Sequence, residues 1–340
     1  MNAVDSRAPG GDQETPMTQD HDAESPRAPK RSERLRQRAA WMYFVEEMTQ
    51  SAIAEALGVG RVTVVRMLAE AKALGEVRIA LTRGHAELGG LEAALCSANG
   101  FADAMVVPLS APSADPTGPI GAALGDYVSS LLRNDMKIGL GWGRTLNRSL
   151  EYLRERSLRG LSVVSLVGGV THFLHDNPAE FPSAFARSFG ADCYLIPAPA
   201  VVDSAATKTA LIERCGLGAV YDFAHSLDAV VLSVGSLGDE ATFARFELVR
   251  EAERRAMREM GGVGELLCNV FDREGRIIDH PLNQRVMSVP IEAVRAAPIR
   301  VLAAGGAHKV AALDGAIRLL NPTALVTDET TARALTGGAE

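Results

Sequence analysis

The chain of 340 residues is long enough for two or three domains with at least one large hydrophobic core. Its hydrophobic content of 47% and charged content of 23% are ordinary for a globular protein. The sequence has no apolar run of the length that a membrane helix needs and no apolar segment typical of a secretory signal. Four widely spaced cysteines without a Cys-x-x-Cys pair indicate reduced thiols, so we expect a cytoplasmic protein.

The formal net charge of −7 argues against nucleic-acid binding when it is taken over the whole chain. The distribution of the charge reverses that conclusion. Residues 31–83 contain nine Lys or Arg and six Asp or Glu, a net charge of +3, whereas residues 1–30 carry −3 and the remainder carries −7. A small basic module on an acidic body is expected when only that module contacts phosphate groups.

The first two segments of the chain differ sharply in composition. Residues 1–31 are rich in Pro, Gly, Asp, Glu and Ser and almost lack large apolar side chains, which predicts a disordered tail. Residues 32–83 have the apolar spacing of three helices, with a glycine turn at 58–60 and a short strand or wing at 77–81. Thr49 is a good N-cap for the second helix. The pattern predicts a winged-helix-like helix-turn-helix, a DNA-binding module.

The third helix is predicted to begin at Arg61 and to bury Val62 and Val65. This orientation leaves its N-terminal outward side for the base edges of the major groove. The residues assigned to that side are Arg61, Thr63, Val64 and Arg66. Gln50, at the start of the second helix, is placed to contact a phosphate. A plain three-helix bundle with a solvated basic face is the alternative, but the apolar spacing, the glycines and the arginines together favour DNA binding.

Residues 84–103 are predicted to form a linker helix, in which Leu88, Leu91 and Leu95 make a contact between subunits rather than an internal core. From residue 104 to 340 short apolar strands alternate with helical patterns. This alternation predicts a doubly wound, mostly parallel α/β domain. The predicted strands lie at 104–109, 136–140, 162–167, 193–197, 229–234, 265–271, 299–304 and 324–327.

Ligands of open α/β sheets bind at the carboxyl ends of the strands, and the first conspicuous end is a glycine-rich turn into a helix. Its main residues are Gly141, Gly143, Arg144 and Thr145. Glycines let backbone amides approach an anion, and the helix dipole adds to the attraction. The Gly-Lys-Ser/Thr of a Walker loop is missing, and the next strand ends without the acid of a dinucleotide site. A sugar-phosphate cradle and a tight packing turn remain as interpretations.

The second strand end is Gly168-Gly169, where the absence of side chains allows the effector to approach the backbone closely, and a polar loop follows it. Asp176 or Asn177 in that loop is placed to hydrogen-bond sugar hydroxyls. Nearby histidines and Asp176 form only a partial ligand set, so we predict no metal ion and no cofactor.

Two further strand ends carry one charged residue each. Glu265 follows a Gly-Val-Gly turn, and it either binds a polyol hydroxyl or is a surface charge. Lys309 lies in the first turn of a helix, where its charge opposes the helix dipole. A bound phosphate would reverse that penalty, whereas the alternative is an exposed and unfavourable lysine.

Together these segments resemble the SorC family of sugar-binding transcriptional regulators, from about Arg34 to the C-terminus. The start, RAAWMYFVEEMTQ, is most similar to the erythritol-catabolism regulators of that family. The motifs that carry the resemblance are TQSAIAEALGVGRVTVVRMLAEAKALGEVRI, GLGWGRTL, VGGV, GVGELLCNVFDREG, AAGGAHKVAALDGAI and LVTDETTA.

The resemblance implies an effector domain similar to phosphosugar isomerases but used for binding, in a dimer or tetramer that responds on DNA to a phosphorylated sugar. It places the phosphate loop on Gly143, Arg144 and Thr145 and the phosphate-binding lysine on Lys309. It places the sugar contacts on Asp176, Asn177 and Glu265. The chain departs from the family at Arg144, where threonine is frequent, and at Gly60, where serine is frequent.

Three functions are therefore compared. The first is a repressor or activator that binds operator DNA under the control of a phosphorylated sugar or polyol, with no enzymatic activity. The second is a sugar-phosphate isomerase or deaminase with an added DNA-binding module, which would need a general acid and base among residues such as His172, Asp176, Glu265 and His308. The third is a DNA-binding structural protein whose large domain only oligomerises, against which the glycine-lined strand ends argue.

Overall fold

The computed structural model describes residues 31–77, 88–170, 180–238, 241–246 and 248–337. The chain divides into two compact units, residues 1–79 and 80–340. Of the predicted tail, the described residues include only Arg31, and of the predicted wing only Val77.

The first unit contains three helices, α1 (Arg31–Phe44), α2 (Gln50–Leu57) and α3 (Arg61–Ala73). The hydroxyl of Thr49 accepts a hydrogen bond from the amide of Ala52 at 3.2 Å and caps α2 as predicted. Gly58 ends α2 in the left-handed conformation, with a φ of 64° that glycine adopts without a steric penalty. The local capping chemistry therefore accounts for the turn of the helix-turn-helix.

The core of the first unit corrects the predicted orientation of α3. Val64 is fully buried, and it shares one stripe with the buried Leu68 and Ala71 against α1 and α2. Val62 is 83% exposed and Val65 is 46% exposed. The prediction that Val62 and Val65 face the core and that Val64 faces DNA is therefore wrong. Both sets of residues recur at helical spacing, and only the packing against the other helices chooses between them.

An ion-pair cluster ties α1 to the end of α3. Arg36 is nearly buried, and its Nε and Nη2 donate to the two carboxylate oxygens of Glu76 at 2.8 and 2.7 Å. Its Nη1 donates to Glu70 at 2.9 Å. The hydrogen bond from Arg36 lowers the pKa of Glu76. Bidentate contacts of this kind hold a guanidinium in one geometry. Because Glu76 lies just after α3, its pairing with Arg36 fixes the course of the chain beyond that helix.

The second unit is an α/β domain. Its strands are β1 (Asp103–Val107), β2 (Lys137–Leu140), β3 (Ser162–Ser165), β4 (Asp192–Tyr194), β5 (Ala229–Leu232), β6 (Gly235–Ser236), β7 (Gly264–Leu266), β8 (Asn269–Phe271), β9 (Ile299–Ala303) and β10 (Ala324–Asp328). Its helices are α4 (Gly89–Asn99), α5 (Thr117–Leu131), α6 (Arg144–Ser149), α7 (Glu180–Phe189), α8 (Ala205–Arg214), α9 (Gly218–Ala224), α10 (Thr242–Arg245), α11 (Glu251–Glu259), α12 (Pro281–Arg285), α13 (Ile291–Ala296), α14 (Val310–Leu320) and α15 (Glu329–Leu335).

Within the described residues, seven strands form a parallel sheet in the order β1-β10-β9-β5-β2-β3-β4. Every residue of β5 and of β10 is buried, as expected for strands that are covered on both faces. The buried apolar residues of this unit form two separate hydrophobic clusters, and each cluster contains residues from both helices and strands. The doubly wound, mostly parallel fold is confirmed. No helix in the described ranges is long and apolar enough to cross a membrane.

The helix α4 packs inside the second unit and does not act as a free linker. Leu88 is 4% exposed and Leu95 is fully buried, and both belong to the larger hydrophobic cluster of this unit, against which Leu91 also packs. The helix lies against β1 and α15. The prediction that these leucines lie outside the internal core is therefore wrong, because Leu88 and Leu95 are buried in it and Leu91 packs against it.

The predicted strand at 265–271 is a hairpin instead. Here β7 and β8 pair antiparallel with each other, and β6 pairs with β7 on the other side. Leu267 and Cys268 form the turn with positive φ values of 52° and 65°. Neither residue is the glycine or asparagine that usually indicates such a turn, so the sequence shows a continuous apolar run at this point.

Candidate functional site

A pocket lies at the carboxyl ends of three neighbouring strands of the sheet, β9, β5 and β2. It contains Arg144 and Thr145 after β2, Lys309 after β9, and Glu265 from the small antiparallel sheet. These residues were predicted at separate strand ends, and the fold brings them to one cavity. The pocket also contains residues that the sequence analysis did not select as binding residues, namely Thr117, Trp142, Ser233, Val234, Gly235, Ser236, Ala241 and His308.

Two glycines shape the turns that enter this pocket. Gly143 has a φ of 131° and a ψ of 163°, and Gly306 has a φ of 101° and a ψ of 137°. Residues other than glycine rarely adopt these backbone conformations. Each glycine directly precedes a helical segment, α6 or the 3-10 turn Ala307–Lys309. The strand-to-helix turns therefore direct Arg144 and Lys309 into the pocket.

Asp328, at the end of β10, holds the second of these turns in place. Its fully buried carboxylate accepts a hydrogen bond from the amide of Gly306 at 2.8 Å. The same carboxylate caps α15 by accepting the Thr331 amide at 2.9 Å and the Thr331 hydroxyl at 2.7 Å. An added side chain at Gly305 would collide with this carboxylate. The Asp-x-x-Thr spacing in the sequence predicts that Asp328 caps α15. Nothing in the local sequence shows that Asp328 also holds the Gly306 turn that precedes Lys309.

Lys309 is half-buried beside a second cation. Burial lowers the pKa of its ammonium, and the charge of Arg144 lowers it further, while Glu265 and Asp115 act in the opposite direction. Because burial and the like charge both disfavour the cationic lysine, a bound anion would relieve both effects. The electrostatics of the pocket therefore favour a ligand that carries negative charge.

Glu265 is buried, which settles the choice between a pocket residue and a surface charge in favour of the pocket. Its side chain is 4% exposed, and burial raises the pKa of the carboxyl to about 7. The amide of Cys268 donates to its Oε2 at 2.8 Å, which opposes the rise, as does the charge of Lys309. Near neutral pH the carboxyl is present in both protonation states, so it both donates and accepts hydrogen bonds.

The neighbourhood of Glu265 is closely packed and conformationally strained. An added side chain at Gly235, its cross-strand partner, would overlap the Glu265 carboxylate. The left-handed residues Leu267 and Cys268 place the Cys268 amide against that carboxylate. Unusual backbone conformations persist where the surrounding structure enforces them, and they are frequent at functional sites.

A second carboxylate, Asp115, lies close enough to the pocket to interact with its two cations. The hydroxyl of Thr117 donates to it at 2.6 Å and the Thr117 amide at 3.0 Å. These hydrogen bonds lower the pKa of Asp115, and the charges of Arg144 and Lys309 lower it further. Asp115 and Thr117 were not predicted as site residues, because an Asp-x-Thr before a helix is also an ordinary capping sequence.

Three glycines that were predicted to contact the effector have other roles. The amide of Gly141 donates to the carbonyl of Val231 at 2.9 Å, and the amide of Gly168 donates to Met287 at 2.8 Å. The amide of Gly169 donates to Ala198 at 2.8 Å. None of the three lines the pocket that contains Lys309. Their amides already have partners and are not free to bind an anion. Gly141 and Gly168 are closely packed against neighbouring segments, and Gly169 lines a separate hollow beside Val170 and Pro199. Asp176 and Asn177 lie outside the described residues.

The first unit presents its own polar surface. Arg61 and Arg66 are exposed on α3, and Thr63 is half-buried. Gln50 and Arg61 line one shallow surface hollow at the start of α2. Gly60 precedes α3 without a side-chain cap, as expected from its lack of a hydroxyl.

Comparison with known proteins identifies the chain. Residues 86–336 match the family model described as "Putative sugar-binding domain". The erythritol catabolism regulatory protein EryD of Brucella abortus (strain 2308) is 30% identical over 306 residues, which cover 88% of this chain and 95% of that protein. The chain belongs to the SorC family of sugar-binding transcriptional regulators.

Other members of the SorC family match over both units. The sorbitol operon regulator of Klebsiella pneumoniae is 28% identical over 313 residues, covering 89% of this chain and 97% of that protein. The crystal structure of the full-length sorbitol operon regulator SorC from Klebsiella pneumoniae superposes with a TM-score of 0.67 at 25% identity. It covers 89% of this chain and 98% of its own. The expected resemblance to SorC regulators is therefore confirmed.

Proposed function

We propose that this SorC-family regulator binds operator DNA and that a phosphorylated sugar or polyol in the pocket controls this binding. Its target is then a carbohydrate or polyol catabolic operon. The observation that carries the proposal is the meeting of Lys309, Arg144 and Glu265 in one cavity at the strand ends. Two cations suit a phosphate, and a carboxyl suits hydroxyl groups.

The chemistry of the pocket divides along its two sides. Lys309 and the start of α6 at Arg144 and Thr145 form a cationic side for the phosphate. Glu265, Ser233 and Ser236 supply hydrogen-bonding groups for the hydroxyls of a sugar or polyol. Asp176 and Asn177 remain candidates for further hydroxyl contacts through the resemblance alone.

The DNA side uses the exposed residues of α3. Arg61 and Arg66 are the proposed contacts to bases or phosphates, with Thr63 beside them. Gln50 at the first turn of α2 is proposed to contact a phosphate, where the helix dipole favours negative charge. A homodimer or homotetramer would read two half-sites about one helical turn apart, or a multiple of it. Val64 is buried, so it is excluded from the proposed DNA contacts.

Control requires that the effector distinguish two arrangements of the protein. A ligand shifts an equilibrium only by the difference of its affinities for the two states. We therefore propose that the effector binds one quaternary arrangement more tightly and that this arrangement has a different affinity for the operator.

The proposal is tested by a melting screen followed by DNA binding. The full chain is heated with phosphorylated and free tetritols, pentoses and hexoses, and those that raise Tm are added to gel shifts with the region upstream of the operon. The expected result is a rise in Tm with a phosphorylated compound, dependent on its concentration, and a changed operator affinity. If DNA binds but no compound changes either readout, the sensing half of the proposal fails.

A second candidate is a sugar-phosphate isomerase or deaminase, and one observation favours it. Glu265 has a pKa of about 7 in a cavity that also contains His308 and Lys309, which suits general acid–base catalysis. The named relatives are regulators, which favours binding instead. Turnover of ribose 5-phosphate or glucosamine 6-phosphate at ordinary enzyme rates would establish the enzyme.

A further inference from the structure

The exposed face of α3 is apolar along its middle. Val62 is 83% exposed and Val65 is 46% exposed, and Ala69 is also exposed. We call these three residues the valine face. Valine is β-branched and lowers helix stability slightly relative to alanine or leucine. Since two of its members are valines that gain little from burial, folding does not explain their presence on this surface.

The helical geometry places the valine face between two arginines. Each residue advances by roughly 100° around the axis of an α-helix. Counted from Arg61, the exposed residues Val65, Ala69, Val62 and Arg66 follow at about 40°, 80°, 100° and 140°. The remaining exposed residues of α3 are Lys72 at about 20°, on the Arg61 edge, Ala73 at about 120°, within the apolar strip, and Glu70 at about 180°, beyond Arg66. The buried stripe of α3 is centred at about 300°, which is roughly 130° around the helix from the middle of the valine face. Guanidinium groups therefore border a continuous apolar strip on both edges.

The two arginines at the edges of the valine face indicate which kind of partner binds there. Two copies of the chain packed symmetrically through the valine face would bring their arginines close to one another, which is unfavourable. Duplex DNA presents phosphates to the arginines and base edges to the strip. Thymine is the base whose major-groove edge carries an apolar group, its C5-methyl, and small apolar side chains contact that methyl.

On these grounds we infer that the valine face reads thymine, with Val62 and Val65 packed against C5-methyl groups within each operator half-site. The inference rests on the proposed DNA-binding function and goes beyond it by naming the base. Arg61 and Arg66 supply phosphate or guanine contacts on either side, and these contacts set the register in which the methyl groups meet the valines.

The experiment begins with a pool of random DNA duplexes, from which the full chain selects its preferred sites. In a selected site, each thymine is replaced singly by deoxyuridine, which removes the methyl group and keeps the base pair. Wild-type protein should lose about three- to fivefold in affinity at one or two thymines per half-site, the effect of burying one methyl group. The other thymines should tolerate the change.

The variant Val62→Ser links the effect to the side chain. It should bind the thymine and deoxyuridine duplexes equally at one of the sensitive positions, and Val62→Ala should reduce the difference. Val45→Ser is the matched control, because Val45 is 56% exposed and lies just beyond the end of α1. It should keep the full penalty for deoxyuridine.

Three results would overturn the inference, and they are distinguishable. If the chain selects a site but tolerates deoxyuridine at every thymine, thymine reading is wrong and DNA binding stands. If Val62→Ser changes the oligomeric state in sedimentation while the deoxyuridine penalty persists, the face is a protein contact. If no duplex is selected, the DNA-binding proposal fails together with the inference.

Discussion

The pocket and the outer face of α3 both use cations, but they hold them in different surroundings. Lys309 is half-buried, and burial and the charge of Arg144 lower its pKa. Arg61 and Arg66 are exposed to solvent on a helix surface. Exposed cations each add a contribution to the affinity for a polyanion such as DNA, and salt screens these contributions. A half-buried cation contributes to binding only when a ligand of matching charge and shape lies next to it. The comparison predicts that changes in the pocket have large, ligand-specific effects and that changes on α3 have smaller, salt-dependent effects.

Removal of the pocket lysine should produce the largest effect. Lys309→Met should weaken binding of the phosphorylated effector by about 100-fold, equal to about 3 kcal/mol, because the phosphate loses its half-buried partner. Operator affinity without effector should stay close to wild type. Calorimetric titration of the compound found in the melting screen measures the change. Lys208→Met is the matched control, since burial also lowers the pKa of that lysine but it does not line the pocket. Equal losses in both variants would argue against a specific phosphate contact.

The buried carboxyl in the pocket should make stability depend on pH. The pKa of Glu265 is raised from 4.5 to about 7 in the folded protein, so its proton stays bound where the unfolded chain releases it. Its contribution is present in full below pH 4.5 and is lost as the pH rises through about 7, which costs at most about 3 kcal/mol. Glu265→Gln should remove this dependence and be more stable above pH 7. Urea denaturation at a series of pH values tests this, and the exposed Glu259→Gln should leave the wild-type slope unchanged.

Changes on the outer face of α3 should be smaller and sensitive to salt. Arg61→Ala and Arg66→Ala should each weaken operator binding by about tenfold and, where the contact is to a phosphate, reduce the slope of log affinity against log salt by about one. Effector binding should not change. Binding measured by fluorescence anisotropy over a range of salt concentrations separates the two kinds of contact. Arg255→Ala, on the exposed surface of α11, is the control. A loss that is independent of salt would indicate base contacts only.

The smallest effect concerns the cap of α3. Gly60 has a φ of −74° and lacks a side-chain cap, and an added side chain would have room, with the nearest atom 3.9 Å from its Cβ. Gly60→Ser should stabilise α3 by a few tenths of a kcal/mol. Gly58→Ser should destabilise the unit by roughly 1 kcal/mol, because its φ of 64° is costly for serine. Hydrogen exchange of the α3 amides measures both. Equal effects of the two substitutions would contradict the assigned turn geometry.

Local chemistry made much of this molecule predictable. Thr49, the turn glycines and the first residues of α2 and α3 follow from capping preferences that involve neighbouring residues only. The alternation of short apolar strands with helices identified the parallel sheet, because buried strands need continuous apolar runs. The charged residues Lys309 and Arg144 stood out because each follows a glycine turn at a strand end.

Only the tertiary structure decided the features that depend on distant contacts. Val64 and Val62 both fit a helical apolar stripe, and packing against α1 and α2 buries Val64 and exposes Val62. The strand order brings Glu265 and Asp115 near Lys309, although they are far apart in sequence. The amide of Gly168 is paired with the carbonyl of Met287, a partner 119 residues away that the local Gly-Gly pattern does not reveal. Burial and hydrogen-bond partnership are set by non-local neighbours, which a single sequence pattern does not contain.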